Sequence, residues 1–174
     1  GLGGVGLRVA RWLVEHGAEC LALLSRSGEV RDLASAADWE WLSSCKSRVV
    51  RRKCDVSDAT VVSSMLDEVR SELGPLRGVI HAAGVLSDGT LPNQSRESFA
   101  CVYGPKVDGA YNLHAATADD NLEFFVLFSS IASVLGSAGQ ANYAAANACL
   151  DALAVHRQSL GLPGVSIQWG AWAE

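Results

Sequence analysis

The sequence predicts an α/β fold, a doubly wound parallel sheet with helices on both faces. Three observations carry the prediction. Short apolar runs alternate with helix-period segments from end to end, the pattern of strands buried by crossover helices. A glycine turn, Gly1-Leu2-Gly3-Gly4-Val5-Gly6, opens directly into the first helical segment. The 174 residues are 49% hydrophobic and 19% charged, enough apolar material for one packed core and too little charge for a disordered chain.

The elements follow in order. Val5 to His16 is helical, with Val5, Val9, Trp12 and Leu13 on one face and Gly17 as its stop. Cys20 to Leu24 is a short continuous apolar strand. A weaker helix covers Asp32 to Ser44, and Arg48 to Cys54 is a strand with a basic middle. Asp58 caps a helix running to Leu73, and Gly74-Pro75 ends it. Gly78 to Ala83 is a strand. Glu97 to Ala118 is helical, with a break or bend at Gly104-Pro105. Leu122 to Ser129 is a strongly apolar strand. Tyr143 to Leu160 is an Ala-rich helix closed by Gly161 and Pro163, and Val165 to Trp169 is a last strand. No internal repeat or linker interrupts this order.

Composition narrows the function. The net charge is −5, from 14 Lys+Arg against 19 Asp+Glu, and no basic stripe offers a general nucleic-acid surface. The longest strongly apolar run, Phe124 to Phe128, is too short to span a bilayer. Cys20, Cys45, Cys54, Cys101 and Cys149 form no C-x-x-C pair, and His16, His81, His114 and His156 are scattered, so no metal site is expected. Reduced thiols and a cytoplasmic location are expected, with Cys20 and Cys54 packing as small hydrophobes. Organellar targeting stays open, because the chain does not begin with Met.

The glycine turn satisfies G-x-G-x-x-G. Glycines let the backbone turn tightly and lie against a pyrophosphate, whose charge meets free N–H groups at the helix N-terminus. A glycine-rich loop without a ligand is the competing reading, and the helix and strand that follow favour the Rossmann-like one. Such a turn normally follows a central strand, yet nothing precedes Gly1. The chain is therefore expected to be cut a few residues into its domain and to fold poorly alone. Some 20 residues on, such folds place the group that reads the adenosine ribose. Here the second strand ends in Ser25-Arg26, with no carboxylate at its tip. A carboxylate repels a 2′-phosphate and a guanidinium pairs with it, so Arg26 selects NADP(H) over NAD, against the alternative of a solvated loop arginine. Asp55 and Val56, after the third strand, are placed to cover the adenine.

Tyr143 and Asn147 stand one turn apart at the start of a helix and share a face. Ser130 lies thirteen residues before Tyr143, at the carboxyl end of the apolar strand, where ligands bind in these folds. Lys106 lies on the preceding helix. With these residues in place, the chain resembles the ketoreductase domain of polyketide and fatty acid synthases, a branch of the short-chain dehydrogenase/reductase family. The matching pieces are GLGGVG, LLSRSG, CDVSD, HAAGV, PKVDGAYNLH, FSSIASVLGSAGQANYAAAN and WGAW, spread over nearly the whole chain. Most short-chain reductases carry Y-x-x-x-K; here the helix reads Tyr143-Ala-Ala-Ala-Asn147 and the lysine is Lys106, the exchange seen in the synthase ketoreductases.

The resemblance implies NADPH-dependent reduction of a β-ketoacyl thioester to the β-hydroxy thioester. Tyr143 is then the general acid, Lys106 the cation that eases its proton's departure, Ser130 the donor that fixes the ketone oxygen, and Asn147 the residue that orients Lys106 or a relay water. Lys106 and Tyr143 also belong to the cofactor site. Ala82, Ala83 and Gly84 end the fourth strand, where the family's backbone passes close to the cofactor, and His81 is expected to be packed rather than catalytic. Trp169 to Trp172 flank the nicotinamide pocket in the family, or serve as core. Stereochemistry is set in the family by a loop after the fourth strand and by residues before the tyrosine. Leu86-Ser87-Asp88 keeps the last Asp of the B-type Leu-Asp-Asp but not the first. Leu135 stands where the other class carries Trp, and Asn142 fits the B type, while Ala138 replaces its Pro. The balance favours the B type, the D-hydroxy product. The implied partners are an acyl carrier protein bearing the phosphopantetheine-tethered substrate and neighbouring synthase domains, with a dimeric parent synthase left open. The expected domain is residues 1–174, a ketoreductase catalytic core incomplete at both ends, without its first and last strands. An inert ketoreductase-like scaffold and a free-standing short-chain dehydrogenase are the alternatives.

Overall fold

The computed structural model describes residues 1–30 and 36–171. Its elements are α1 (Gly4–Glu15), β1 (Cys20–Ser25), α2 (Ala36–Ser44), β2 (Arg48–Lys53), α3 (Ala59–Leu73), β3 (Gly78–His81), α4 (Arg96–Tyr103), α5 (Gly109–Ala116), β4 (Phe124–Ser130), α6 (Ala132–Leu135), α7 (Ala141–Ser159) and β5 (Val165–Trp169). A 3-10 turn at Leu91–Asn93 precedes α4, and a π turn at Gly104–Asp108 joins α4 to α5.

Every strand pairing among the described residues is parallel. β1 pairs with β2, β3 with β4, and β4 with β5, giving a two-stranded and a three-stranded sheet. β1 shows why helices lie on both faces. Leu21 and Leu23 join Leu7, Ala10 and Leu42 of α1 and α2 on one side. Ala22 and Leu24, pointing the other way, pack with the cluster built on Phe125 and Leu127 of β4 and on α3, α5 and α7. That cluster also takes Val79 of β3, so one core runs under both sheets. The Asp58 carboxylate accepts from the N–H groups of Thr60 and Val61 at 2.9 and 3.1 Å, and Gly74 ends α3 at φ 91°, as the capping pattern predicts.

Several expectations are corrected. In α1 the buried residues are Leu7 and Ala10, with Val14 beside them, while Trp12 is 55% exposed and stacks on His16. Two apolar stripes on this helix fit a 3.6 period, and contact with β1 and α2 selects the one through Leu7. Cys20 is exposed at the head of β1, whereas Cys54 is buried as expected. β3 ends at His81, so Ala82 and Ala83 are loop. The helix does not break at Gly104-Pro105. Pro105 has no N–H to give the i−4 carbonyl, and the chain widens into a π turn instead. α7 starts two residues early, at Ala141, and the short α6 has no counterpart in the sequence reading. Residues 32–35, expected in the second helix, and Trp172 lie outside the described residues.

Candidate active site

Three of the four expected catalytic residues hang on two helical segments packed together at the carboxyl end of β4, and the fourth ends that strand. The π turn places Lys106 in the interior, 4% exposed, and α7 packs directly on this turn. The Lys106 ammonium donates to the Phe128 carbonyl of β4 at 2.9 Å and sits 5.2 Å from the centre of the Tyr143 ring. Tyr143 is half-buried against Val102 and Val107. One turn on, the Asn147 amide donates to the Tyr143 carbonyl at 2.8 Å. Its Oδ1 is buried and has no hydrogen-bond partner among the described residues, an arrangement that costs roughly 1–3 kcal/mol until a donor reaches it. Ser130 ends β4, and its Oγ accepts from the Ala132 N–H at 3.2 Å.

Burial shapes the charges here. Desolvation brings Lys106 down to about 8, with the Asp151 carboxylate opposing that fall. His81 is fully packed, its Nε2 lies 2.9 Å from the Lys106 carbonyl oxygen, and burial lowers it to about 4, so it is neutral at pH 7. It braces the π turn from β3. Ala82, Ala83 and Gly84 follow it, and a Cβ on Gly84 would come 3.6 Å from the Lys106 ammonium, so this loop borders the lysine.

The glycine turn forms a second part of the site. A Cβ on Gly6 would lie 2.5 Å from the Gly1 carbonyl oxygen, a distance no side chain tolerates. Gly3 caps α1 without a side-chain hydrogen bond, which leaves the first N–H groups of α1 open to an anion. Gly1, Gly3, Gly4, Val5 and Gly6 therefore offer backbone to a phosphate. Leu2 offers only backbone, since its side chain is buried in the α1–α2 core. This cradle fits a dinucleotide.

At the tip of β1, the Ser25 hydroxyl accepts from the Gly28 N–H at 3.0 Å and shapes the turn that carries exposed Arg26. The Asp55 carboxyl is held below its ordinary range, first by the Ser57 hydroxyl and N–H at 2.7 and 3.1 Å, and further by the charge of Arg26. Arg26 and Asp55 thus share one corner. Val56 packs against Gly109 and gives its carbonyl to the Asn112 amide at 2.9 Å.

The residues expected to steer stereochemistry divide into two kinds. Leu86 and Leu135 are 58% and 78% exposed. Asp88 accepts from the Gln140 amide at 3.2 and 3.3 Å. Asn142 is fully buried and is a strap: it donates to the carbonyls of Ser87 and Ser98 at 2.8 and 3.1 Å and accepts from the Tyr143 N–H at 2.8 Å. Gln140 is a site residue that sequence reasoning misses. Its one signal is its place next to the helix start, which no spacing rule connects to a loop fifty residues earlier.

Comparison with known proteins gives the family. The family model described as "KR domain" matches residues 1–174. The polyketide synthase GfsB of Streptomyces halstedii is 51% identical over 174 residues, which is 100% of this chain and 3% of that protein. The phenolphthiocerol synthesis polyketide synthase Pks15/1 of Mycobacterium marinum is 46% identical over 173 residues, 99% of this chain and 8% of that protein. Among solved structures, PlmKR1, the ketoreductase from the first module of phoslactomycin biosynthesis in Streptomyces sp. HK803, is 40% identical at TM-score 0.91, covering 99% of this chain and 40% of that one. An A-type ketoreductase from a modular polyketide synthase is 42% identical at TM-score 0.91, covering 99% and 37%. The chain thus spans a small part of the synthases and about two fifths of the solved ketoreductases it matches. By the whole-chain family match and these relatives, the chain belongs to the KR domain family, the ketoreductases of polyketide synthases.

Proposed function

We propose that this chain carries the catalytic core of an NADPH-dependent β-ketoacyl reductase that acts on a thioester carried by an acyl carrier protein. One observation carries the proposal: the buried Lys106 ammonium stands beside the Tyr143 ring on a helix face that also holds Asn147, with Ser130 ending the strand beneath. When bound, NADPH supplies the hydride that reduces the β-carbon. The ketone π electrons then need a proton, and Tyr143 Oη gives it as general acid. The phenolate left behind is stabilised by the Lys106 ammonium in a site where water screens little. The Ser130 hydroxyl donates to the same ketone oxygen and fixes its position. The unpartnered Asn147 Oδ1 accepts from the group that brings the next proton. Arg26 supports the choice of NADPH, since it is an exposed cation where the ribose 2′ position is read. Asp88, Asn142 and Leu135 support the B-type, D-hydroxy product.

The test is NADPH oxidation with a β-ketoacyl thioester, followed by chiral analysis of the product. Tyr143→Phe is expected to lower kcat by at least about 100-fold while NADPH still binds. Wild-type speed in that variant overturns the acid assignment. Equal use of NADH overturns the role of Arg26, and an L-hydroxy product overturns the B-type assignment.

A further inference from the structure

α7 carries a carboxylate that the reaction as derived above does not use. Asp151 lies one turn past Asn147 and two turns past Tyr143, on the same face of the helix. Its Oδ2 accepts from the Ser133 hydroxyl of α6 at 2.7 Å, and its Oδ1 accepts from the Ser166 hydroxyl of β5 at 2.5 Å. The Ser129 hydroxyl of β4 and the Gln168 side chain of β5 lie close enough to add to these bonds, and together they hold the carboxylate below its ordinary range against the opposing effect of burial. The Ser129 hydroxyl also reaches the Asn147 carbonyl at 3.3 Å, so Asp151 and Asn147 are tied to the same strand residue. Ser129 sits between Phe128, whose carbonyl receives the Lys106 ammonium, and Ser130.

We propose that Asp151 is a positioning residue of the reaction: it pins the Tyr143–Asn147 face of α7 to β4, α6 and β5, and it serves Lys106 as a distant counter-charge. The inference rests on the ketoreductase reading above. Among the described residues, the other groups named around Lys106 supply no negative charge. His81 of β3 is buried and neutral, Tyr143 of α7 presents a ring, and β4 presents the Phe128 carbonyl. Asp151 is the charge that acts to keep the ammonium protonated against its burial. It does so from outside the reacting atoms, which explains how a cation can persist in a dry site without a contact ion pair that would compete for Tyr143.

Asp151→Asn removes the charge and keeps most of the shape. In the intact protein, with NADPH and a β-ketoacyl thioester, the alkaline limb of kcat/KM is expected to move down by about half a pH unit or more. That shift reads as little change at pH 6 and about threefold slower turnover well above pH 8. The paired variant Ser133→Ala/Ser166→Ala keeps the charge and loosens the clamp, so it is expected to lower Tm with the limb in place. NMR titration of the Lys106 ammonium reads the same shift without turnover. If wild type does not reduce the thioester but the ammonium still titrates lower in Asp151→Asn, the ketoreductase reading fails and the counter-charge role stands. An unmoved limb and an unmoved Lys106 titration in folded Asp151→Asn overturn it.

Discussion

In the proposed mechanism Lys106 must be charged to help Tyr143, and it is buried where charge is costly. Desolvation brings it to about 8, so it is cationic at pH 7 and loses its proton just above. Because kcat/KM reports the free enzyme, its pH profile is expected to fall about tenfold per unit above about pH 8, measured by NADPH oxidation. A profile flat to pH 10 refutes a cationic role. The identity of the four catalytic candidates is legible in the sequence, because tyrosine and asparagine one helical turn apart, a serine at a strand end and a lysine displaced to the neighbouring helix form a recognisable set. Their contacts are not. The lysine's hydrogen bond to the Phe128 carbonyl depends on β4 lying under the π turn, and no local signal reports that. Asn142 is the sharper case: the sequence sets it beside the tyrosine, but only the fold shows that it is a buried strap between the Ser87 and Ser98 carbonyls and the Tyr143 N–H.

Elements succeed or fail as signals according to whether their cause is local. The glycine turn is local: tight backbone and an uncapped helix start need only the residues themselves. Gly6→Ala is expected to weaken NADPH binding by at least about tenfold, about 1.4 kcal/mol, because the new Cβ meets the Gly1 carbonyl at 2.5 Å and the cradle must open. Fluorescence titration with NADPH measures it, and unchanged affinity shows that the turn does not hold the cofactor. The π turn is half local. Pro105 announces a disturbance, but whether the helix breaks or widens depends on the packing of α4, α5 and α7 around it. α6 has no local cause at all, being four residues long with only a backbone cap, and it is formed by its contacts with α7.

On the scale of the whole molecule, the buried polar groups set the response to pH. His81 titrates near 4 when folded against an ordinary value near 6.5. The unfolded chain therefore binds the proton first, and stability falls as pH drops from about 6.5 to about 4, on the order of 3 kcal/mol in all. The urea midpoint is expected to fall over that range, and His81→Asn is expected to flatten the fall. An unchanged slope in the variant removes His81 as the cause. Arg157 makes a related point. It is 1% exposed, its guanidinium lies 3.9 Å over the Phe125 ring, and it donates to the Pro163 carbonyl at 2.7 Å, a placement that arginine in a helical pattern does not announce. Strand–helix alternation, parallel pairing, the capped ends of α3 and the chemistry available at Gly1 to Gly6, Arg26, Lys106, Ser130, Tyr143 and Asn147 all follow from residue type and spacing, because propensity, period and capping act within a few positions. The buried stripe of α1, the exposure of Cys20, the strap at Asn142, the bond of Asp88 to Gln140 and the hub at Asp151 were decided by packing. Each depends on which surfaces meet across gaps of tens of residues, and burial and hydrogen-bond satisfaction are properties of that meeting rather than of the chain.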